Sequence, residues 1–332
     1  MLDLTQTEGT VIGISSRPAQ ASAGALLFAA ILLAPAYGGD EPRVMLEPRA
    51  AAGLAVANAA LRVESNLVLI PVAVTDRQNR SVVGLDRATF RVFDGKTEQK
   101  VTHFSQDDAP LSAGIVFDSS GSMRDKLGKS REAVAAFLKT ANPEDEFFVV
   151  ECSDRARVAV PFTSNPNEIQ NHLMSTVSKG RTPLLDAVYL GLEYMKKASN
   201  RRRALLVISD GGDNDSRYTA AELRNLVREA DVWVYSIGIY ENSLMIPEQE
   251  PFGQHLLATL AAASGGREFA LRNVRELPDV ADKIGLELRN QYVLGFTPAN
   301  PERDGKYHRV QVKLVQGKNL HVSARPGYFS PQ

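Results

Sequence analysis

The sequence predicts an α/β protein: a doubly wound, mainly parallel sheet inserted into a small β-sandwich that the two ends of the chain form together. Apolar strand-like runs alternate with helical patterns between residues 111 and 286, as in parallel sheets with crossover helices. Short β-like blocks flank that region, at residues 61–108 and 287–332. Clusters of Asp, Ser and Gly follow two of the apolar runs, where such folds place their sites.

The first 38 residues carry the pattern of an export signal. An apolar run at residues 24–37 follows Arg17, and it suits a secretory signal better than a membrane span. We therefore expect a signal peptide at 1–38, or alternatively an uncleaved anchor or a buried helix, followed by a linker at 39–60. No later apolar stretch reaches the roughly 20 residues of a spanning helix. The expected location is periplasmic, cell-surface or secreted, or membrane-tethered if the segment is uncleaved.

The two flanking blocks have the features of β-structure. An apolar run predicts a strand at 67–74, and Asp94-Gly95 predicts a hairpin between strands at 89–93 and 100–104. Both blocks are too short to fold alone, so the closing block is expected to pack with 61–108 as one sandwich. The strands predicted in the closing block lie at 292–296, 308–315 and 320–324.

Within residues 111–286, strands and helices are predicted to alternate. Strands are predicted at 112–117, 146–152, 204–209, 232–239 and 268–271, with an edge strand at 156–162. Helices are predicted at 126–140, 167–177, 184–197, 220–229, 253–263 and 274–289. The basic run Arg201-Arg202-Arg203 is predicted to be a helix C-terminus and a solvated loop, where cations are favourable.

The first predicted strand of this region ends in Asp118-Ser119-Ser120-Gly121-Ser122. Asp118, Ser120 and Ser122 alternate, so their side chains point the same way if the chain is still extended. Oxygen ligands that converge on one point suit a small hard cation such as Mg²⁺. Gly121 allows the close backbone approach of the turn. The alternative is a Ser/Asp/Gly turn that only caps the next helix.

Two later segments bear on this choice. Thr182 precedes Pro183, which is the pattern of a helix N-cap with proline at the first helical position, and its oxygen would face solvent and be available to a metal. Asp210 follows another apolar strand and enters a glycine turn. Each segment alone also fits ordinary capping or turn chemistry. Together, the three segments favour one oxygen-lined cation site.

These residues resemble the metal-ion-dependent adhesion site of the von Willebrand factor type A (VWA) domain. The family pattern is Asp-x-Ser-x-Ser, then a Thr from a second loop and an Asp from a third. The resemblance covers residues 111–286, implies a Rossmann-like VWA fold, and extends in the flanks to a bacterial subgroup of secreted proteins. The metal ligands that it implies are Asp118, Ser120, Ser122, Thr182 and Asp210.

The resemblance implies a binding module and not an enzyme. Its cation would be Mg²⁺, or else Mn²⁺ or Ca²⁺, and an Asp or Glu of a protein partner would complete the coordination shell. The alternatives are a Mg²⁺-dependent hydrolase or phosphatase, or a structural VWA domain with a vestigial metal site. The sequence lacks Asp-x-Asp at the motif, a phosphate-binding Gly-x-x-x-x-Gly-Lys-Ser/Thr loop and Gly-x-Ser-x-Gly. The five histidines are expected to lie away from the motif loops, so no catalytic residue is expected.

The loops around the cation are expected to form the recognition surface. Family members often have Gly-Gly-Thr-Ala where this chain has Gly180-Arg181-Thr182-Pro183, so Arg181 is expected beside the cation, weakening its binding or attracting an anionic partner. Arg124 adds to this basic rim, whereas Asp213 and Asp215 oppose it. Met123 is expected to be a core plug beneath the loop.

Composition excludes several other classes. The chain has 332 residues with 38 basic and 39 acidic side chains, so its net charge of −1 gives no support to a nucleic-acid surface. Its length and its 44% apolar content suit about two domains with a substantial core. Cys152 is the single cysteine, which excludes an intramolecular disulfide and a cysteine-based zinc site. It lies in an apolar run and is expected to be a buried, inert thiol.

Overall fold

The computed structural model describes residues 67–106, 108–240, 250–299, 305–315, 317 and 319–331. The chain divides into two units, Met1–Leu61 and Arg62–Gln332, and all described residues belong to the second. The predicted signal peptide and linker lie outside the described residues. Among the helices that are described, none is both long enough and apolar enough to cross a membrane.

Within the α/β region, the elements follow one another in the order that the sequence predicts. The described strands are β1 (Val68–Thr75), β2 (Phe90–Asp94), β3 (Thr97–Gln99), β4 (His103–Ser105), β5 (Leu111–Asp118), β6 (Glu146–Cys152), β7 (Ala156–Thr163), β8 (Arg202–Ser209), β9 (Trp233–Ile239), β10 (Glu268–Leu271), β11 (Tyr292–Phe296), β12 (Tyr307–Leu314), β13 (His321–Ala324) and β14 (Gly327–Phe329). The described α-helices are α1 (Leu127–Lys139), α2 (Pro166–Ser175), α3 (Leu184–Met195), α4 (Ala220–Glu229), α5 (Glu250–Ser264) and α6 (Leu277–Arg289).

A six-stranded sheet forms the centre of the fold, in the order β10-β9-β8-β5-β6-β7. All of its neighbouring strands are parallel except β7, which pairs antiparallel with β6 at the edge. Helices α1, α2 and α6 pack on one face and α3, α4 and α5 on the other. Every residue of β5 is buried, because both faces of the sheet are covered. The predicted doubly wound, mainly parallel sheet is confirmed.

Two four-stranded antiparallel sheets pack beside this region, in the orders β13-β1-β11-β4 and β14-β12-β2-β3. Each sheet combines strands that precede the α/β region with strands that follow it. In β1, for example, Val72 pairs with Tyr292 and Val74 pairs with Val322. Residues from both sheets form one apolar core, in which the rings of Phe90 and Tyr292 lie 5.0 Å apart. The sandwich predicted from the two end segments is therefore confirmed.

A buried ion pair joins three parts of the chain where the sandwich strands meet the α/β region. The Arg289 guanidinium at the end of α6 pairs with the fully buried carboxylate of Asp145. Asp145 Oδ1 accepts a hydrogen bond from the Leu111 amide (2.8 Å), and its Oδ2 accepts one from the Asn142 amide (2.8 Å). Arg289 Nη1 also lies 3.6 Å from Asp108 Oδ1. The start of β5 and the end of α6 are thus held together.

The predicted hairpin is wrong in its second strand. β2 turns at Asp94-Gly95, where Gly95 has a φ of 57°, and pairs with β3 at Thr97–Gln99. The run predicted at 100–104 instead contributes β4, which pairs with β11 in the opposite sheet. The turn residues correctly indicate where the chain reverses direction. Because the turn is tight, only two residues separate the end of β2 from the start of its partner strand β3.

The prediction for the Arg201-Arg202-Arg203 run is also wrong. Helix α3 already ends at Met195, and Arg202 and Arg203 are the first residues of β8. Arg202 Nη1 donates to the carbonyl oxygens of Leu288 (3.2 Å) and Arg289 (3.1 Å) at the end of α6. Arg202 therefore makes the favourable interaction between a cation and the C-terminus of a helix, but the helix is α6, which is distant in sequence, and not α3.

Candidate functional site

The Asp-x-Ser-x-Ser motif lies at the carboxyl end of β5 and continues into a single 3-10 turn, Gly121–Met123. Asp118 Oδ1 accepts a hydrogen bond from the Ser120 amide (2.9 Å). The hydroxyls of Ser120 and Ser122 are 3.1 Å apart. Met123 is completely buried beneath the turn, which confirms the predicted core plug. The carboxylate and the two hydroxyls therefore lie close together at this edge of the sheet.

The second predicted segment lies against the motif turn. The Gly121 amide donates to the Gly180 carbonyl (3.0 Å), and the Lys179 amide donates to the Ser119 carbonyl (2.9 Å). Gly180 has a φ of 77°, and a Cβ at this position would lie 2.1 Å from the Asp154 carboxylate. Glycine is thus required where this segment turns toward Thr182.

The third segment follows β8 and contacts the first through a residue that sequence analysis missed. The Ser209 hydroxyl donates to Asp118 Oδ2 (2.5 Å) and accepts a hydrogen bond from the Gly211 amide (3.0 Å). Asp210 follows Ser209 and lies beside this contact. Gly211 has a φ of 80°, and a Cβ there would lie 2.9 Å from the backbone of Gly253 in α5. The available signal for Ser209 was a hydroxyl directly after the apolar run at residues 204–208.

Thr182 is not the helix cap that the sequence predicts. Its side chain is buried, and α3 begins at Leu184 with Pro183 in the N-cap position. The carboxylate of Asp213 provides the cap from the third segment, where its Oδ1 accepts a hydrogen bond from the Leu184 amide (2.9 Å). Asn214 Oδ1 accepts from the Thr182 amide (2.9 Å). The second and third segments are thereby joined, and capping does not use the Thr182 side chain.

The electrostatics of the site are dominated by two carboxylates. Burial and, to a smaller extent, the nearby negative charge of Asp210 raise the pKa of Asp118 from 3.8 to about 6. Hydrogen bonds from Ser209 and Ser120 act in the opposite direction. The raised pKa means that the ionised Asp118 carboxylate lacks full compensation from its surroundings. A cation at this edge would supply that compensation.

The cationic side chain that contacts Asp210 belongs to a lysine, whereas the Arg181 guanidinium expected beside the metal pairs elsewhere. Lys126 Nζ lies 3.1 Å from Asp210 Oδ2, and the two side chains are only 14% and 12% exposed. The Arg181 side chain is 71% exposed, and its Nη1 pairs with Asp215 Oδ1 at 2.9 Å. Nothing in the sequence marks Lys126 as part of the site, because a lysine at the start of a helix is ordinarily solvated.

The donor set fits a hard cation, provided that hydroxyls take part. No three His, Cys, Asp or Glu side chains among the described residues converge on a point that could hold a metal. Asp118 and Asp210 supply two carboxylates, which balance the charge of a divalent ion, and hydroxyls are neutral oxygen donors of the kind that Mg²⁺ accepts. All of these groups belong to three segments at the carboxyl edge of the sheet, where open α/β folds place their ligands.

A histidine lies closer to the motif than the sequence suggests. The Ser119 hydroxyl donates to Glu151 Oε1 (3.2 Å), and Glu151 also pairs with Arg157. His172 Nε2 is 3.6 Å from Glu151 Oε2. The carboxylate therefore separates the imidazole from Ser119, and the described hydrogen-bond partner of the Ser120 hydroxyl is Ser122. This arrangement does not pair a serine nucleophile with a histidine base.

Part of the chain that contains this site is similar to a known family of domains. Residues 114–212 match the sequence model of the von Willebrand factor type A domain. The inter alpha-trypsin inhibitor heavy chain 4 of Mus musculus is 27% identical over 153 residues, which cover 41% of this chain and 16% of the mouse protein. Heavy chain H4 of Bos taurus is 25% identical, covering 36% of this chain and 15% of the bovine protein. The chain thus spans under a fifth of the length of either relative.

Solved structures that the chain matches include a von Willebrand factor type A protein from Catenulispora acidiphila. That structure is 14% identical with a TM-score of 0.47, and the match covers 79% of this chain and 72% of the other. The PilB minor pilin from Streptococcus sanguinis is 13% identical with a TM-score of 0.45, covering 56% and 63% of the two chains. On the match of its sequence to the family model, the region at residues 114–212 is similar to a von Willebrand factor type A domain.

Proposed function

We propose that this chain is an exported binding module that recognises a protein partner through a divalent cation. The cation would be Mg²⁺, or else Mn²⁺ or Ca²⁺, and an Asp or Glu side chain of the partner would complete its coordination. One observation carries the proposal: the buried Asp118 carboxyl faces the charge of Asp210 without full compensation at the carboxyl edge of the sheet. Export is proposed from the apolar run at residues 24–37.

The residues of the site would have distinct roles. Asp118 is held in place by Ser209 and by the Ser120 amide, so its carboxylate is oriented before any ion binds. The Ser120 and Ser122 hydroxyls would be neutral ligands, and Thr182 and Asp210 would complete the protein's share of the shell. When bound, the cation supplies an electrophile that a carboxylate of the partner can approach.

A structural VWA domain with a vestigial metal site is the second candidate. The contact between Lys126 and Asp210 favours it, because an ammonium group can replace a metal as the counter-ion. A hydrolase is not favoured, because the described hydrogen bonds of the motif serines go to each other, to backbone and to Glu151, a carboxylate that is itself paired with Arg157. Cation binding therefore separates the two leading candidates.

Removal of Asp118 should abolish cation binding without unfolding the protein. We expect Mg²⁺ to bind the natural chain with micromolar or weaker affinity and, at about 100 times its dissociation constant, to stabilise the fold by about 2.7 kcal/mol. Asp118→Ala should remove this response in calorimetry and in thermal unfolding. Asp125→Ala is the matched control, because it removes an exposed carboxylate just beyond the same motif. Equal Mg²⁺ binding by Asp118→Ala and the natural chain would exclude the assignment.

Cation affinity should depend on pH through Asp118. The folded carboxyl has a pKa of about 6 against an ordinary 3.8, so the folded state holds this proton more tightly than the unfolded state. Without a cation, the contribution of Asp118 to stability therefore decreases as pH rises through this window. Because the cation needs the ionised form, calorimetry should show about tenfold weaker Mg²⁺ binding one pH unit below that pKa than near neutral pH. An affinity that does not change over that range would contradict the prediction.

Partner recognition should select for acidic side chains. A displayed library of random peptides, selected against the protein in Mg²⁺, should enrich sequences that contain Asp or Glu. The enrichment should disappear in EDTA and in Thr182→Ala or Asp210→Ala, and it should weaken in high salt, because rim charges are screened. Binding that persists unchanged in EDTA would place recognition on another surface, such as the sandwich.

A further inference from the structure

The contact between Lys126 and Asp210 joins the start of α1 to the third segment of the site. The backbone of Lys126 is fixed: its amide donates to the Met123 carbonyl (2.9 Å), and its carbonyl accepts from the Ser130 amide (3.0 Å) and the Ser130 hydroxyl (3.1 Å). The side chain alone can therefore change position. Both members of the pair are largely buried, with side chains only 14% and 12% exposed.

We propose that Lys126 is a built-in competitor for the divalent cation, an inference that rests on the proposed function. Without the cation, the ammonium group is the counter-ion of Asp210. When the cation binds, the Lys126 side chain leaves Asp210 for solvent. Lys126 thus sets the cation concentration above which the site becomes able to bind a partner.

Charge and geometry support this competition. Two carboxylates and one ammonium leave one negative charge, so the site is only partly neutralised. A divalent ion on Asp210 would be close to the Lys126 ammonium, and repulsion between like charges is strong where water is largely excluded. Lysine is suited to such a role because its charge is compact and its four-carbon stem is flexible. An exposed lysine could not act in this way, since solvent would screen its charge.

The alternative role for Lys126 is to position Asp210 for the cation. The two roles predict opposite results for Lys126→Met, which keeps the length of the side chain and removes its charge. If Lys126 competes with the cation, Lys126→Met should bind Mg²⁺ more tightly than the natural chain. If Lys126 positions Asp210, the variant should bind Mg²⁺ more weakly. Lys129→Met is the matched control, because Lys129 is a more exposed lysine on the same helix that pairs with Glu132.

The experiment measures Mg²⁺ binding by calorimetry and thermal unfolding with and without Mg²⁺ for the natural chain and the variants. In Lys126→Met we expect the affinity for Mg²⁺ to rise about tenfold, equivalent to about 1.4 kcal/mol. Without Mg²⁺ this variant should unfold at a lower temperature than the natural chain, because Asp210 loses its counter-ion, and with Mg²⁺ its stabilisation should be larger. Lys129→Met should match the natural chain in both measurements, and Lys126→Arg should retain the weak affinity.

Two other outcomes overturn the inference. Unchanged or weaker Mg²⁺ binding in Lys126→Met would exclude competition, and the cation site would still stand if Asp118→Ala abolishes binding. If neither the natural chain nor Lys126→Met binds Mg²⁺, the proposed function fails together with the inference. If Lys126→Met does not fold, Lys126→Gln provides the same comparison, because the Gln side chain is also neutral but is more polar.

Discussion

Deletion of residues 291–332 should unfold the β-sandwich. The deletion removes β11 and β13, which are the two neighbours of β1, and it removes Tyr292, Leu294 and Phe296 from the shared core. The amides of β1 would then face solvent, because an isolated strand retains no hydrogen-bond partners for its edges. Hydrogen exchange should show that protection in residues 68–75 is lost.

The same experiment contains its own control. The central strand β5 receives its hydrogen bonds from β6 and β8, neither of which is deleted. Its amides should remain protected if the α/β region folds independently of the sandwich. Unchanged exchange in β1 after the deletion would mean that the two end blocks are stable separately, contrary to the split sandwich.

Removal of the Asp145 carboxylate should destabilise the fold by about 3–5 kcal/mol, the range for breaking a buried ion pair from one side. Asp145→Ala removes the buried partner of the Arg289 guanidinium and leaves it only the more distant, exposed carboxylate of Asp108. It also removes the acceptor for the Leu111 and Asn142 amides. The loss affects three segments at once. Chemical unfolding of the purified variant would measure it.

A second ion pair of α6 supplies the comparison for this prediction. Lys283 and Asp279 are 2.8 Å apart on the same helix, and the Asp279 side chain is 68% exposed. Asp279→Ala should change the free energy of unfolding by less than about 1 kcal/mol, because solvent screens an exposed pair. Similar losses in both variants would show that burial does not determine the effect of Asp145.

Most elements of the α/β region could be predicted because their patterns are local. Helix α4 has the predicted bounds, since Thr219 and Glu222 form a capping box directly before an apolar repeat. The predictions were wrong where a residue distant in sequence takes the role that a local pattern assigns to a nearby one. Thr182-Pro183 resembles a cap, but Asp213 caps α3 from a segment about 30 residues further on. No short-range pattern contains that information.

The candidate site divides in the same way. The proposed ligands could be predicted because their residue types and spacing form a motif that can be recognised without knowledge of the fold. Ser209 and Lys126 were missed because their importance comes from burial beside Asp118 and Asp210, in contacts that span 91 and 84 positions. Whether a polar residue is solvated or buried is a property of the packed structure. The sequence alone therefore predicts the candidate ligands but not what surrounds them.

The split sandwich has a consequence for synthesis on the ribosome. The Tyr292 hydroxyl donates to the Val82 carbonyl across 210 positions of the chain, so β1 and β2 emerge long before the strands that complete their sheets. All elements of the α/β region lie in one continuous stretch of the sequence. This region can therefore fold during this interval, as domains generally do during translation. By bringing the start of β5 next to the end of α6, it shortens the loop that must close. Chaperone binding to the nascent chain should therefore concentrate on the early strands.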